Sequence, residues 1–356
     1  MKNICSILVL LLLVCNLGFS QENPVLKSNK WSAEKAQSWY DSHNWINGAN
    51  FVPSTAINQL EMWQEDTFDP ETIDRELGYA AGIGFNTMRV YLHSLAYKVD
   101  KKGFKKRVEE YLNIADKNGI KTIFVFLDDV WDANPKIGKQ PAPKPGTHNS
   151  GWVQDPGYPA SKNEANFPEL ETYVKDILKT FANDERILLW DLYNEPGNNG
   201  KSNESLPLLK EIFTWAREVN PSQPISAGIW KWDEKELNEF QVTNSDIVTY
   251  HDYEGPEWHL RVIQLLESFN RPLICTEYMA RTRNSRFSNT LPMLKEHTIG
   301  AINWGLVNGK SNTIYAWDTP IANGDEPIEW FHDVFRKDGT PYREDEVNLI
   351  KKLNNK

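Results

Sequence analysis

The chain is predicted to fold as a single (β/α)8 TIM barrel, an α/β architecture, with long loops after its third and eighth strands. Three observations lead there. Short runs rich in β-branched and aromatic residues recur eight times, each followed by a polar loop and a segment of helical period. The runs are almost continuously apolar, which is the pattern of parallel strands covered on both faces. Neither a G-x-G-x-x-G turn after the first strand nor a Walker loop is present, so the open, doubly wound nucleotide-binding sheet loses support as a rival.

In order, the expected strands occupy 46–53 (INGANFVP), 85–92 (FNTMRVYL), 121–127 (KTIFVFL), 186–193 (RILLWDLY), 224–230 (PISAGIW), 247–253 (IVTYHDY), 272–278 (PLICTEY) and 301–307 (AINWGLV). Helices are expected over 70–81, 102–118, 167–182, 204–219, 234–240, 257–269, 290–297 and 343–352. Asp69-Pro70 starts the first of these with a capping side chain and a proline at the first helical position. Asn118-Gly119 stops the second. Barrels of this kind run to about 250 residues, so the surplus must sit in loops. The largest is 128–166, with prolines at 135, 141, 143, 145, 156 and 159; a second is 308–342. Both follow strands, on the face where barrels assemble their active sites.

Composition narrows the function. With 39 Lys and Arg against 49 Asp and Glu the formal charge is −10, and no dense basic cluster is present. Nucleic acid is therefore not an expected partner, and acidic polymers are poor candidates as substrates. The 14 Trp, 13 Tyr and 15 Phe exceed what a core of this size requires, which points to a flat, uncharged ligand. At 40% hydrophobic and 25% charged the chain is globular.

The first twenty residues read as a secretory leader: Lys2, an apolar run over 7–14, and Gly18-Phe19-Ser20 before Gln21. Eight apolar residues are too few to span a bilayer. Cleavage after Ser20 is expected, dividing the chain into a leader (1–20) and one catalytic domain (21–356), secreted or periplasmic and monomeric. A lipoprotein anchored through Cys15 is the lesser alternative, because Val14 is bulkier than the small residue such signals carry. Cys5 and Cys15 leave with the leader. Cys275 remains alone, unable to form an internal disulfide and placed in an apolar run as a buried, inert thiol.

Polar residues gather where the strands end. Strand four closes Trp190-Asp191-Leu192-Tyr193-Asn194-Glu195-Pro196, strand six His251-Asp252-Tyr253 and strand seven Thr276-Glu277-Tyr278. Arg89 lies in strand two, Asn50 near the end of strand one and Trp304 in strand eight. Two glutamates on strands four and seven would face each other across the barrel mouth. Glycoside hydrolysis needs such a pair, one protonated to assist the leaving oxygen and one ionised. A cation such as Arg89 beside one of them would separate their affinities for the proton.

On residues alone, alternatives stay open. His251 with Asp252 or His93 could hold a metal, although no H-x-H strand or H-E-x-x-H helix accompanies them. A non-catalytic carbohydrate-binding barrel is a further reading. Asp128 and Asp129 could touch a sugar hydroxyl, hold Ca²⁺ or cap the following loop. Trp63, Trp131, Trp152, Trp230, Trp232, Trp258 and Trp317 are expected in loops or at strand ends, about half as core and half as stacking platforms. Trp304, Trp230 and Trp232 are the favoured platforms.

Asn194-Glu195-Pro196 at the end of strand four, with Glu277 closing strand seven, resembles the signature of clan A glycoside hydrolases, most closely the cellulases and mannanases of family 5. The resemblance runs as strand order from about residue 46 to 305. It implies a retaining enzyme that needs no cofactor and cleaves a β-1,4-linked plant-type polysaccharide or oligosaccharide, such as glucan, mannan or xylan. Glu195 would be the acid/base and Glu277 the nucleophile. Asn194 would bond the sugar 2-hydroxyl, Arg89 and Tyr253 would hold the nucleophile, His251 would sit near the acid/base, and Trp304 would form the floor. Many family members carry His at the end of strand three, where this chain reads Phe126-Leu127-Asp128-Asp129. The stretch Trp330-Phe331-His332-Asp333, followed by Asp338-Gly339-Thr340-Pro341-Tyr342, is similar to endings of family 2 barrels. Endo against exo action is left to the geometry of the two long loops.

Overall fold

A computed structural model describes Leu26 and residues 29–356. The expected leader, with Cys5 and Cys15, lies outside the described residues. Eight parallel strands follow one another: β1 (Asn47–Asn50), β2 (Thr87–Tyr91), β3 (Lys121–Asp128), β4 (Ile187–Asn194), β5 (Ile225–Ser226), β6 (Val248–His251), β7 (Leu273–Glu277) and β8 (Gly300–Asn303). Their order, β5-β4-β3-β2-β1-β8-β7-β6, is that of a ring cut between β5 and β6. A parallel bridge between Ile229 and Tyr250 spans the cut. The expected (β/α)8 barrel is thus the fold.

Period-two alternation builds the two sides of the wall. Met88 and Val90 of β2, with Leu92 just after it, join the large cluster beneath the helices, whereas Arg89 and Tyr91 face the barrel axis. Neighbouring backbones approach closely at Gly48, where an added Cβ would stand 1.6 Å from the Thr87 carbonyl oxygen, so only glycine fits. The expected fifth strand is cut to two residues. Beyond Ser226 the chain leaves the ladder, and the Gly228 carbonyl accepts from the Gln241 side chain instead of a strand.

The helices lie outside the ring: α1 (Ala33–Asp41), α2 (Gln59–Trp63), α3 (Pro70–Gly82), α4 (Ser94–Val99), α5 (Lys101–Lys117), α6 (Phe167–Phe181), α7 (Leu206–Val219), α8 (Lys235–Asn244), α9 (Pro256–Glu267), α10 (Thr290–Glu296) and α11 (Glu344–Leu353). Asp69 caps α3 by accepting the Thr72 N–H, as its sequence indicated. Three helices were not foreseen, namely α1, α2 and α4. The α1 segment closes the amino-terminal end of the barrel, where Trp31, Ala36 and Tyr40 pack on Ile46, Ile123, Leu189, Ile247, Ile274 and Ile302. Each isoleucine or leucine among them, moved from water into the core, contributes about 1.5–3 kcal/mol.

Two tryptophans depart from their expected places. Trp63 ends α2 and is wholly buried in core, its indole N–H bonded to the Tyr91 carbonyl oxygen; Trp258 lies in α9. Cys275 is buried and unpaired. Among the described residues no helix is long and apolar enough to cross a membrane.

Candidate active site

At the carboxyl end of the barrel lies a cleft of 690 Å³. Its floor is set by an ion pair inside the ring. Arg89, fully buried, donates through Nε to Asp191 Oδ2 (2.9 Å), through Nη2 to Asn194 Oδ1 (2.7 Å), and through Nη1 to Asn50 Oδ1 (2.8 Å) and Glu277 Oε1 (2.8 Å). Asn50 in turn donates to the Thr276 carbonyl oxygen at 2.8 Å. Arg89 and Asn50 therefore lie beneath the cleft rather than on its lining; they reach a ligand only through Glu277 and Asn194.

Glu277 ends β7 with both oxygens engaged. Oε1 also accepts from the Tyr91 hydroxyl and Oε2 from the Tyr253 hydroxyl, each at 2.8 Å. Burial pushes its carboxyl up, but His251, Arg89 and the hydroxyls of Tyr253 and Tyr91 outweigh this and hold it below the ordinary carboxylate value. The register of β6 on β7 slips between Tyr250 and His251, which brings His251 level with Glu277.

Glu195 follows β4 in left-handed backbone (φ 44°). Such a conformation is costly for a residue with a Cβ and persists only when its surroundings impose it. Here Asp129 imposes it. Its carboxylate accepts from the Tyr193 hydroxyl, the Gly197 N–H, the Ser205 hydroxyl and the buried Lys201 ammonium, pinning the turn on both sides of Glu195. Glu195 itself contacts His251 Nδ1 (Oε1, 2.8 Å) and the Asn198 amide. Donor atoms of Glu195, His251 and Glu277 lie within 4.8 Å of one another.

Asp128, one residue before, holds the other face of the site. It accepts from Asn194 Nδ2 (3.0 Å) and Trp152 Nε1 (2.7 Å). The Asn194 amide is thus fixed at both ends, its oxygen on Arg89 and one N–H on Asp128, which leaves its second N–H for the cleft. Of the three uses open to the aspartates, capping of the following loop describes Asp128, which also accepts the Val130 N–H (3.0 Å), whereas Asp129 secures the loop after β4.

Trp304 lines the cleft beside Trp152, their rings 5.6 Å apart, and Trp230 and Trp232 line its opposite side. Trp131, Trp258 and Trp317 line it too. Tyr91, Asn198, His148 and His332 are site residues that strand-end reasoning did not single out, whereas Trp152, one of the expected tryptophans, lines the cleft. The metal alternative gains nothing from His93, which caps α4 and faces Asp155 at 3.6 Å, away from His251. Glu277 already receives a guanidinium, an unfavourable neighbour for a bound cation.

Opposed carboxylates at the ends of the fourth and seventh strands of such a barrel define a glycoside hydrolase site. The chain belongs to glycosyl hydrolase family 5, whose cellulase model matches residues 46–310. Solved structures share the fold. The endo-1,4-β-D-mannanase of Thermotoga petrophila RKU-1, determined with maltose and glycerol, is 14% identical, with a TM-score of 0.57 over 88% of this chain and 99% of that one. The endo-1,4-β-mannanase of Rhizomucor miehei is 13% identical, with a TM-score of 0.56 over 87% and 94%. An exo-β-1,4-mannosidase from Opitutaceae bacterium strain TAV5 is 17% identical, with a TM-score of 0.59 over 92% and 61%. No curated protein matches the chain.

Proposed function

We propose that this glycoside hydrolase cleaves β-1,4-linked plant-type polysaccharides or oligosaccharides, such as glucan, mannan or xylan, with retention of configuration. The observation that carries the reading is the short separation of the two carboxylates, whose oxygens come within 4.8 Å. Retaining enzymes hold the pair about 5–5.5 Å apart, whereas inverting ones leave roughly 6.5–9.5 Å for a water. The β-1,4 linkage is supported by the family's cellulase name and by the mannanases among the similar folds.

In the first step a Glu277 oxygen forms a bond to the anomeric carbon, the glycosidic C–O bond breaks, and the Glu195 proton passes to the leaving oxygen. Glu277 suits attack because Arg89, Tyr91 and Tyr253 keep it ionised and aimed. Glu195, which touches His251 and Asn198 but no guanidinium, suits the proton carrier. In the second step Glu195 takes a proton from water, whose oxygen replaces Glu277 on the anomeric carbon. Asn194 offers its free N–H to the sugar 2-hydroxyl, and Trp304 offers its face to the ring at the cleavage point. The chemistry calls for no cofactor. The leader, export to the cell exterior or periplasm, the single catalytic domain over 21–356 and a monomeric state complete the proposal.

The test is covalent trapping. A 2-deoxy-2-fluoro β-glycoside with an activated leaving group should add one glycosyl mass to the peptide that contains Glu277, and Glu277→Ala should abolish turnover of aryl β-glycosides. Labelling elsewhere, or an active Glu277→Ala enzyme, would remove Glu277 as nucleophile.

A further inference from the structure

The two long loops that follow β3 and β8 do not run separately along the cleft; they clasp each other. The Ile321 N–H donates to the Gly146 carbonyl oxygen (3.0 Å), the Asn149 N–H to the Ser311 carbonyl oxygen (2.9 Å), and the Asn312 side chain to the Lys144 carbonyl oxygen (2.9 Å). His148 adds a bond from Nδ1 to the Tyr315 carbonyl oxygen at 2.9 Å. The clasp is tight. At Gly146, whose φ is +65°, an added Cβ would stand 1.7 Å from the Ile321 carbonyl oxygen. Both loops are also fastened to the β1 loop beneath them, through the Lys310 N–H on the Ser54 carbonyl oxygen and Asn58 Nδ2 on the Gly151 carbonyl oxygen.

The clasp spans the rim from β3 to β8 and so roofs β1 and β2. None of the residues lining the cleft comes from β1, β2 or the loops that follow them. Behind the Trp152–Trp304 pair, towards β1, only a void of 20 Å³ remains. That is room for about one water. On the other side the cleft runs past Glu195 to Trp230 and Trp232, on the loop after β5, and to Trp258 in the first turn of α9.

Direction follows from the chemistry. A proton donor must stand beside the oxygen that leaves, so the leaving part of the substrate lies on the side of Glu195, the open one. The sugar transferred to Glu277 then points its non-reducing side at the roof. We infer that the cleft is a blind pocket for the non-reducing end of the glycan and that the enzyme removes a short piece of fixed length from that end. This rests on the assignment of Glu195 as acid and Glu277 as nucleophile.

The test uses cellohexaose, mannohexaose and xylohexaose, each carrying a fluorophore at the reducing end. The first labelled product is expected to be a single size, shortened from the unlabelled end, and the viscosity of the parent polymer should fall no faster than reducing ends appear. An early ladder of labelled sizes with a sharp loss of viscosity would overturn the inference. Gly146→Ala, which forces the roof from Ile321, should turn the single product into a mixture while aryl β-glycoside turnover persists. Asn312→Gly, which keeps the left-handed backbone there but removes the side-chain bonds to the Lys144 and Thr147 carbonyl oxygens, serves as the second variant should the first fail to fold. A single unchanged product in every folded variant would remove the roof as the cause. Inertness of the wild type towards hexasaccharides and aryl glycosides alike would instead strike the catalytic assignment, and this inference with it.

Discussion

Arg89 Nη1 and Glu277 Oε1 stand 2.8 Å apart inside the barrel wall, with side-chain exposures of 0% and 6%. A buried charge that loses its partner costs about 3–5 kcal/mol, so Arg89→Met should destabilise the fold by that order in urea unfolding.

The same contact governs the acid side of activity. Glu277 is held below the ordinary carboxylate value, so its ionised form survives into mild acid and activity is lost as pH falls through the lowered value. Tyr253→Phe removes one donor at 2.8 Å with little change of volume. Its acid limb of kcat/KM should move to higher pH; a limb that stays in place would argue against Tyr253 as a support of the ionised form.

Glu195→Gln keeps the shape of the acid but not its proton. General acid catalysis supplies roughly 10²–10⁴ in rate, so kcat on an alkyl or oligosaccharide leaving group should fall by about that factor. A dinitrophenyl leaving group departs without a proton, and on it the first step should be nearly untouched. Equal losses on both substrates would point to a structural part for Glu195.

Asp129→Ala should act at a distance. It strips Lys201, Ser205, Tyr193 and the Gly197 N–H of a common acceptor and leaves the Lys201 ammonium buried. A loss of about 3–5 kcal/mol is expected. Any stable remnant should show a larger fall in kcat than in KM, because Glu195 is no longer constrained in its left-handed turn.

Stability should also depend on pH with a definite sign. Burial raises Glu76 and Asp155 to about 7 and Asp252 to about 8. Each binds its proton more tightly folded than unfolded, so its contribution is complete below the ordinary carboxylate value and is lost as pH rises through 7 to 8. Burial lowers His93 and His259 to about 3 and His148 to about 4. These cost stability only as pH falls below their ordinary value near 6.5. Melting temperature should therefore fall between pH 6.5 and pH 9; a rise over that interval would contradict the signs given.

The barrel was legible because its strands are apolar on both faces and its helices carry start and stop signals, as at Asp69 and Asn118. The catalytic pair was legible because Glu195 and Glu277 break apolar runs at strand ends. Tyr91 was hidden by the same logic, since an aromatic residue in an apolar strand reads as core. His148 was hidden for another reason: its position depends on a contact between 128–166 and 308–342, its bond to the Tyr315 carbonyl oxygen, which no local pattern encodes. The α1 helix escaped notice because its role, plugging the barrel floor, is purely tertiary. The fifth strand was overread because Gly228 bonds a helix side chain instead of a neighbouring strand.

The clasp at Gly146 and Ile321 also bears on how such an enzyme counts its substrate. A roofed pocket samples chain tips, and a long polymer offers one usable tip however many linkages it contains. At equal mass, then, a finely chopped glycan presents far more substrate than an intact one, and flux through this protein rises with whatever cleavage of chain interiors precedes it.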